Sequence, residues 1–189
     1  MSAADVTAGD PAELSGDYTF DVAHSTFGFV ARHLMVTKVR GTFHEFEGSA
    51  HLDFGDPSRS SVEVTIKAAS IDTGHPDRDA HLRSNDFFAM DEHPEITFKS
   101  TAIEAAGDDS YRVTGDLTIR EVTKSVTFDA ERSGPVTDPW GNTRIGFSGS
   151  LKVNRKDWGV SWNMALEAGG VTVSEDVTLE FDISATKNA

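Results

Sequence analysis

The chain contains no cysteine and has few basic side chains. The absence of cysteine excludes thiol catalysis, cysteine-ligated zinc and iron–sulfur chemistry. Its 17 lysines and arginines are outnumbered by 31 aspartates and glutamates, which gives a formal net charge of −14. Nucleic acids and anionic lipid surfaces attract clustered positive charge, so neither is expected as a partner of a chain with this balance.

Long apolar stretches are also missing. No segment approaches the roughly 20 apolar residues that a membrane-spanning helix needs, so an integral membrane protein is not expected. Residues 1–6 lack the basic start and apolar core of a secretory signal peptide, which predicts a cytoplasmic protein. A length of 189 residues fits one β-rich domain that buries its core without disulfides.

What the sequence does have is an apolar residue at every second position through most of its length. The alternation is clearest in residues 62–68, 111–119 and 145–153, and at least eight segments show it. Strands with one solvent-exposed face and one buried face are typical of antiparallel sheets, so the alternation predicts an antiparallel barrel or a closed sandwich. Several glycines fall inside these strands, where we expect bulges or sharp bends that let the sheet close: residues 28, 41, 48, 115 and 149.

Three segments depart from the alternation. Residues 1–14 are small, acidic and aperiodic, which predicts a flexible N-terminal segment ahead of a single domain over 15–186. A helix-like stretch lies near residues 77–88, with Pro94 ending the segment that contains it. Residues 154–170 hold two of the three tryptophans between strands. No repeat or linker divides the chain further.

Motifs that carry catalytic or metal chemistry are sparse. The chain has no glycine-rich phosphate loop and no His-Glu-x-x-His pair, so we expect no catalytic residues, no metal and no cofactor. Ser25 beside His24 invites a nucleophile–base interpretation, but adjacent strand residues point to opposite faces. The seven histidines are interpreted as structural or surface residues, with convergence on a metal as the alternative.

Charged and aromatic residues cluster in the helix-like stretch. Arg78, Asp79 and Arg83 fit a helix that ion pairs pin to one end of the barrel; the alternative is an arginine that faces the head group of a ligand. Phe87 and Phe88 follow directly and are interpreted as an apolar plug beneath this segment.

The twelve phenylalanines leave open whether the barrel is filled or hollow. Most of them fall on the inward face of the predicted strands. An eight-stranded barrel is close to the size at which side chains either fill the interior or leave room for one ligand. Composition alone does not decide between a packed core and an apolar tunnel.

Several motifs resemble those of the bacterial YceI-like family, in the same order and spacing from residue 16 to residue 185. They are HS at 24–25, RHL at 32–34, KVRGTF at 38–43, ASIDTG at 69–74, HLRS at 81–84, DFF at 86–88, PEITFKS at 94–100, TGDLTIR at 114–120, NR at 154–155, DWG at 157–159 and VTL at 177–179.

The resemblance implies an all-β, extended eight-stranded antiparallel barrel of lipocalin type. Family members of this kind hold an isoprenoid or similar amphiphilic chain inside the barrel, which favours the hollow alternative. The implied ligand is a polyisoprenoid or quinone-like lipid. Trp158 stands where the family usually has phenylalanine, which implies a bulkier loop at that mouth of the barrel.

We therefore expect a non-catalytic carrier of a long isoprenoid or similar lipid. Two alternatives stay open: an enzyme on a lipid-like substrate that uses buried His and Asp as acid and base, and a filled barrel with a structural, stress-related role. A homodimer formed through sheet edges is also possible. At the mouth we expect His33, Arg78 and Trp158. Strand parity predicts that the tunnel is lined by Phe20, Phe27, Phe29, Phe46, Val64, Ile66, Phe98, Leu117, Phe147 and Leu151.

Overall fold

The computed structural model describes residues 9–167 and 170–189. Within them lie two short α-helices, α1 (Pro11–Leu14) and α2 (Pro76–Arg83). The strands, in chain order, are β1 (Gly16–Phe20), β2 (Thr26–His33), β3 (Thr37–Phe43), β4 (Phe46–Leu52), β5 (Ser61–Lys67), β6 (Ile71–Asp72), β7 (Glu95–Ala105), β8 (Ser110–Ile119), β9 (Val122–Thr137), β10 (Thr143–Asn154) and β11 (Asp176–Lys187).

These strands form one antiparallel sheet that closes on itself. β1 and β2 are separated by a 3-10 turn at Val22–His24, and both pair with β11, so together they act as one long kinked strand. In the same way β3 and β4 form a second kinked strand, and β5 and β6 form a third. With β7 to β11 the barrel has eight strands, and the pairing of β1 with β11 closes it. The predicted eight-stranded antiparallel barrel is confirmed.

The two ends of the barrel differ in what they carry. One end, called the helix end here, holds α2, the turn between β2 and β3, the turn between β8 and β9, and residues 155–167 and 170–175. The opposite end holds α1 and the C-terminus of β11. Among the described residues, no helix is long and apolar enough to cross a bilayer.

α2 begins and ends earlier than the helix-like stretch in the sequence. Pro76 occupies its first turn, where the missing N–H costs nothing, and the His75 ring accepts a hydrogen bond from the Arg78 backbone at 3.3 Å. Ser84 caps its C-terminus, and residues 84–92 fold into turns. The expected helical segment is therefore present, but it covers 76–83 instead of 77–88.

The predicted flexible segment, residues 1–14, can be compared with the structure only from residue 9 onward, because residues 1–8 lie outside the described residues. Residues 11–14, expected to be flexible, instead form α1. The buried Leu14 explains the difference, since its carbonyl accepts a 2.7 Å hydrogen bond from the hydroxyl of the fully buried Tyr18. Aperiodicity hides this anchor, because a single buried leucine is too little to set a pattern.

Among the described residues the buried core contains three clusters. At the opposite end, Tyr18, Leu52 and Ile145 pack together. At the helix end a larger cluster contains Phe43, Ile71, Phe87, Leu117 and Trp158. A third cluster, formed by Ile103, Val113 and Ala130, lies on β7, β8 and β9, and side chains from all three clusters line the cavity described next.

Candidate ligand-binding cavity

An elongated apolar cavity of about 300 Å³ occupies the barrel interior. Pockets that take small organic ligands start at about this size, whereas one ordered water occupies only about 30 Å³. A filled barrel predicts no cavity larger than a few waters, so the structure contradicts that alternative. All eight long strands contribute apolar side chains to the wall, among them Phe20, Phe29, Val64, Phe98, Leu117, Phe128, Phe147 and Phe181.

Glycines explain how so many phenylalanines line the barrel without filling it. Phe29 lies directly opposite Gly41 in the ladder, and Phe181 lies directly opposite Gly149. A Cβ atom on Gly41 would fall 2.4 Å from the Phe29 ring, and one on Gly149 would fall 2.7 Å from the Phe181 ring. Each ring therefore occupies the space that a side chain on the opposite residue needs, and it lies against the wall of the barrel.

The same arrangement recurs at Gly48, where a Cβ atom would lie 2.2 Å from the ring of Phe20, and at Gly115, where it would lie 2.5 Å from the ring of Phe98. One register shift lies between Ser100 and Ala102, directly opposite Gly115, and the other lies between Arg144 and Gly146. The expected bulge is therefore present beside Gly115, whereas no register shift accompanies Gly41, Gly48 or Gly149. Their role is to accommodate aromatic rings on neighbouring strands, as paired aromatics do over glycine elsewhere.

α2 is fastened over the helix end by hydrogen bonds to the chain just before it. Arg78 donates to the hydroxyl and carbonyl of Thr73 at 2.6 and 2.8 Å, and Arg83 donates to the carbonyls of Ala69 and Ile71, both at 3.0 Å. The buried Asp79 carboxylate accepts from the Thr73 backbone at 3.0 Å. These contacts hold the following residues, Phe87 and Phe88, against the cavity.

The contacts that hold α2 in place are hydrogen bonds, and not the ion pairs that the sequence suggested. Both arginines bind backbone carbonyls, and Arg78 also binds a hydroxyl. The interpretation of Phe87 and Phe88 as an apolar plug agrees with the structure, because both rings line the cavity and Phe87 is only 5% exposed.

Arg155 is a buried cation in the cavity wall. Its guanidinium donates to the carbonyls of Val160 at 2.7 Å, Ser174 at 2.9 Å and Val173 at 3.4 Å, and it lies 5.9 Å from the centre of the Phe87 ring. Burial lowers the pKa of Arg155 from its usual value. The side chain ties the segment after β10 to the segment before β11, and this closes part of the helix end.

The structure places nine of the ten predicted tunnel residues in the cavity wall. Phe46 is the exception. It has the right parity, but it is the first residue of β4, and its ring packs edge-on against Phe27 with 4.8 Å between ring centres. Phe46 is therefore buried against a wall residue, Phe27, and does not itself line the cavity.

The three predicted mouth residues do not form a group. Trp158 is 3% exposed and lines the cavity at the helix end, where its indole N–H donates to the Leu117 carbonyl at 2.9 Å. Arg78 is occupied by Thr73, and neither it nor His33 lines the cavity. His33 lies on the surface at the end of β2, where it forms an isolated bridge with Val173. Loop position therefore places Arg78 and His33 wrongly at the cavity, since it does not show which way a loop folds back, whereas Trp158 does contribute to the wall.

Sequence reasoning missed several wall residues. Phe128 and Phe181 have the same inward parity as the selected residues and were recoverable from the alternation. Arg155 could not be predicted from the alternation, because it lies in a 3-10 turn (Arg155–Trp158) that has no periodicity to indicate which way its side chain points. Leu82 on α2 also lines the cavity, which depends on how the helix packs.

The histidines lie away from the cavity. Four of them pair with nearby carboxylates at the surface: His24 with Asp21, His44 with Asp72, His51 with Asp17, and His81 with Asp86, at 2.8–2.9 Å. Within residues 9–167 and 170–189, no histidine lines the cavity. The same residues hold no group of three or more His, Asp or Glu arranged to bind a metal ion.

Comparison with known proteins places these features in a family. A YceI-like domain matches residues 18–185. A UPF0312 protein of Photorhabdus laumondii is 44% identical over 147 residues, which are 77% of this chain and 76% of that protein.

Solved structures share the barrel. BcnA of Burkholderia cenocepacia superposes with a TM-score of 0.79 at 26% identity, covering 88% of this chain and 99% of that one. The Campylobacter jejuni YceI protein gives a TM-score of 0.73 at 30% identity, covering 84% and 90%. A polyisoprenoid-binding domain of Saccharophagus degradans gives 0.66 at 16% identity, covering 90% and 98%, a likeness that shows the common fold.

Proposed function

Since the chain belongs to the YceI-like family, we propose that it is a non-catalytic carrier that holds a long isoprenoid or similar amphiphilic lipid in its barrel. The observation that carries the proposal is the apolar cavity of about 300 Å³, in whose wall four phenylalanine rings pack against glycines. Burying a hydrocarbon chain there is favourable by about 0.8 kcal/mol for each CH₂ group, so affinity needs no reactive group.

The chemistry of the wall supports an isoprenoid chain over a compact polar ligand. Almost all of the wall is aliphatic or aromatic, and it includes side chains from both ends of the barrel. The likeness in fold to a polyisoprenoid-binding domain of Saccharophagus degradans supports a ligand of this kind. Arg155 supplies a buried positive charge near the helix end, suited to a polar or anionic head group.

The enzyme alternative requires a histidine and a carboxylate within hydrogen-bond reach inside the cavity. The acidic residues in the described wall are Asp53 and Glu180, and no histidine accompanies them there. We therefore propose binding without turnover. A lipid recovered chemically unchanged after prolonged incubation with the protein agrees with this, and a time-dependent product contradicts it.

Paired substitutions test the cavity assignment. Phe29→Arg with Leu117→Arg places two charges in the wall, and the loaded fraction of purified protein should fall to near zero. The matched control is Val30→Arg with Thr118→Arg, which adds the same charges at the adjacent positions on the outer faces of the same strands. The measurement is bound lipid per folded protein, by native mass spectrometry, with circular dichroism to verify folding.

A second pair of substitutions tests the same assignment if the buried arginines unfold the barrel. Val126→Trp with Leu179→Trp fills the cavity with apolar rings and should also reduce loading. Undiminished lipid content in a folded Trp variant, or equal loss in the outer-face control, contradicts the assignment of the cavity as the binding site.

A further inference from the structure

The turn between β2 and β3 exposes apolar side chains that a folded domain normally hides. Leu34, Met35 and Val36 are 42%, 54% and 75% exposed. Leu34 and Met35 also adopt positive φ angles of 52° and 60°, a conformation that costs free energy for residues other than glycine, asparagine and aspartate. Neither burial nor backbone preference accounts for these residues at this turn.

A fourth exposed apolar residue, Met164, belongs to the same surface and is 59% exposed. Thr172 links the two segments, because its carbonyl accepts from the Leu34 backbone at 2.8 Å and its backbone N–H donates to the Met164 carbonyl at 3.0 Å. We call Leu34, Met35, Val36 and Met164 the apolar tip.

Positive charge borders the apolar tip in a strongly acidic protein. Acidic residues number 31 of 189, yet none occurs in the 18 residues from 26 to 43, which carry Arg32, Lys38 and Arg40. Arg32 and Lys38 lie directly opposite each other in the ladder, where like charges destabilise a sheet. Arg40 pairs with Glu180 at 3.3 Å, whereas among the described residues no carboxylate lies within 4.0 Å of Arg32 or Lys38.

The apolar tip adjoins the cavity. Phe29 and Ala31 on β2 line the cavity wall four and two residues before His33, and His33 bridges Val173, which is also in the wall. A surface that engages this tip therefore contacts the helix end of the barrel, next to the cavity contents.

We propose that the apolar tip, with Arg32 and Lys38, docks the barrel onto an anionic phospholipid bilayer. Aliphatic and thioether side chains fit the boundary between head groups and acyl chains, and the flanking cations face lipid phosphates. The net charge of −14 does not forbid this, because charges more than about 8 Å from the surface are largely screened at physiological ionic strength. The net negative charge therefore determines which side of the barrel approaches the bilayer, because the acidic sides are repelled by the anionic lipids.

The proposed docking surface is formed by the hairpin, and the proposal does not depend on whether the cavity holds a lipid. Its test uses the full chain, stripped of lipid, with phosphatidylcholine vesicles that contain 30% phosphatidylglycerol and no isoprenoid, in about 0.1 M salt. The readout is the bound fraction by flotation. The protein should float with these vesicles and bind pure phosphatidylcholine vesicles several-fold less.

Two variants separate the charged and the apolar contributions. Arg32→Gln with Lys38→Gln should weaken binding to anionic vesicles roughly tenfold or more, because each cation near such a surface contributes about a factor of five. Its control, Lys99→Gln with Arg112→Gln, changes net charge equally on β7 and β8 and should leave binding within about twofold.

The apolar variant is Met35→Asn with Val36→Ser, in which asparagine tolerates the positive φ. It should reduce binding to both kinds of vesicle, while Trp140→Ser, which removes an 80% exposed aromatic residue elsewhere, should not. Lack of flotation by folded wild-type protein overturns the proposal, as does equal loss in the test and control variants. A barrel that floats but loads no isoprenoid refutes only the carrier function.

Discussion

Replacing Gly48 by alanine tests the packing that keeps the barrel hollow. The three atoms nearest to the added Cβ all belong to the Phe20 ring, at 2.2, 2.5 and 2.9 Å, so the ring has to leave its place on the wall. Overpacking of this kind costs about 1–3 kcal/mol of unfolding free energy. At a strand glycine with room for a methyl group, the same substitution instead gains up to about 1 kcal/mol, because it restricts the unfolded chain.

Gly146 supplies that control, because a Cβ atom there meets nothing closer than 3.5 Å. Urea unfolding should therefore show Gly48→Ala destabilised and Gly146→Ala unchanged or slightly stabilised. A double-mutant cycle with Phe20→Leu isolates the contact. In the leucine background, Gly48→Ala should cost little, which gives a coupling free energy of about 1–3 kcal/mol. A coupling near zero, with Gly48→Ala as stable as Gly146→Ala, refutes the ring-over-glycine explanation.

Two further predictions concern the two ends of the barrel. Trp158→Phe removes the buried indole donor to the Leu117 carbonyl and should lower the unfolding free energy by about 1–3 kcal/mol in a urea titration, whereas an unchanged midpoint contradicts a structural role for that bond. Burial opposes ionisation of Asp138, but hydrogen bonds, first from Arg144, outweigh it and lower its pKa from 3.8 to about 2. Its contribution is present above pH 3.8 and is lost towards pH 2, so Asp138→Asn should lower the Tm at pH 7 and match wild type near pH 2; a constant difference contradicts this.

The barrel itself could be predicted because a strand has only two faces. Alternation assigns Val64, Ile66 and Leu151 to the interior without knowledge of any partner strand, and the structure places all three in the cavity wall. The resemblance to a known family added the strand count. Periodicity assigns both Phe29 and Gly41 to the inward face. It does not show that the Phe29 ring lies over Gly41, because that contact depends on strand register.

The ends of the barrel could not be predicted in this way. Trp158 reaches the Leu117 carbonyl across 41 residues of sequence, and Arg78 binds Thr73 because α2 folds back over the preceding loop. Both contacts arise from tertiary packing of aperiodic segments, so sequence position did not show that Trp158 is buried in the wall or that Arg78 is held by Thr73 away from the cavity. The basic face formed by Arg32 and Lys38 also escapes a count of charges along the chain, since it arises only when β2 pairs with β3.

The most direct test of the carrier function is native mass spectrometry of freshly purified wild-type protein, followed by organic extraction of whatever is bound. The account predicts a discrete added mass that extracts as a polyprenyl or quinone-like lipid, and uptake of such a lipid by stripped protein. A bare polypeptide mass, with no uptake when isoprenoid lipids are added to the folded barrel, would contradict it.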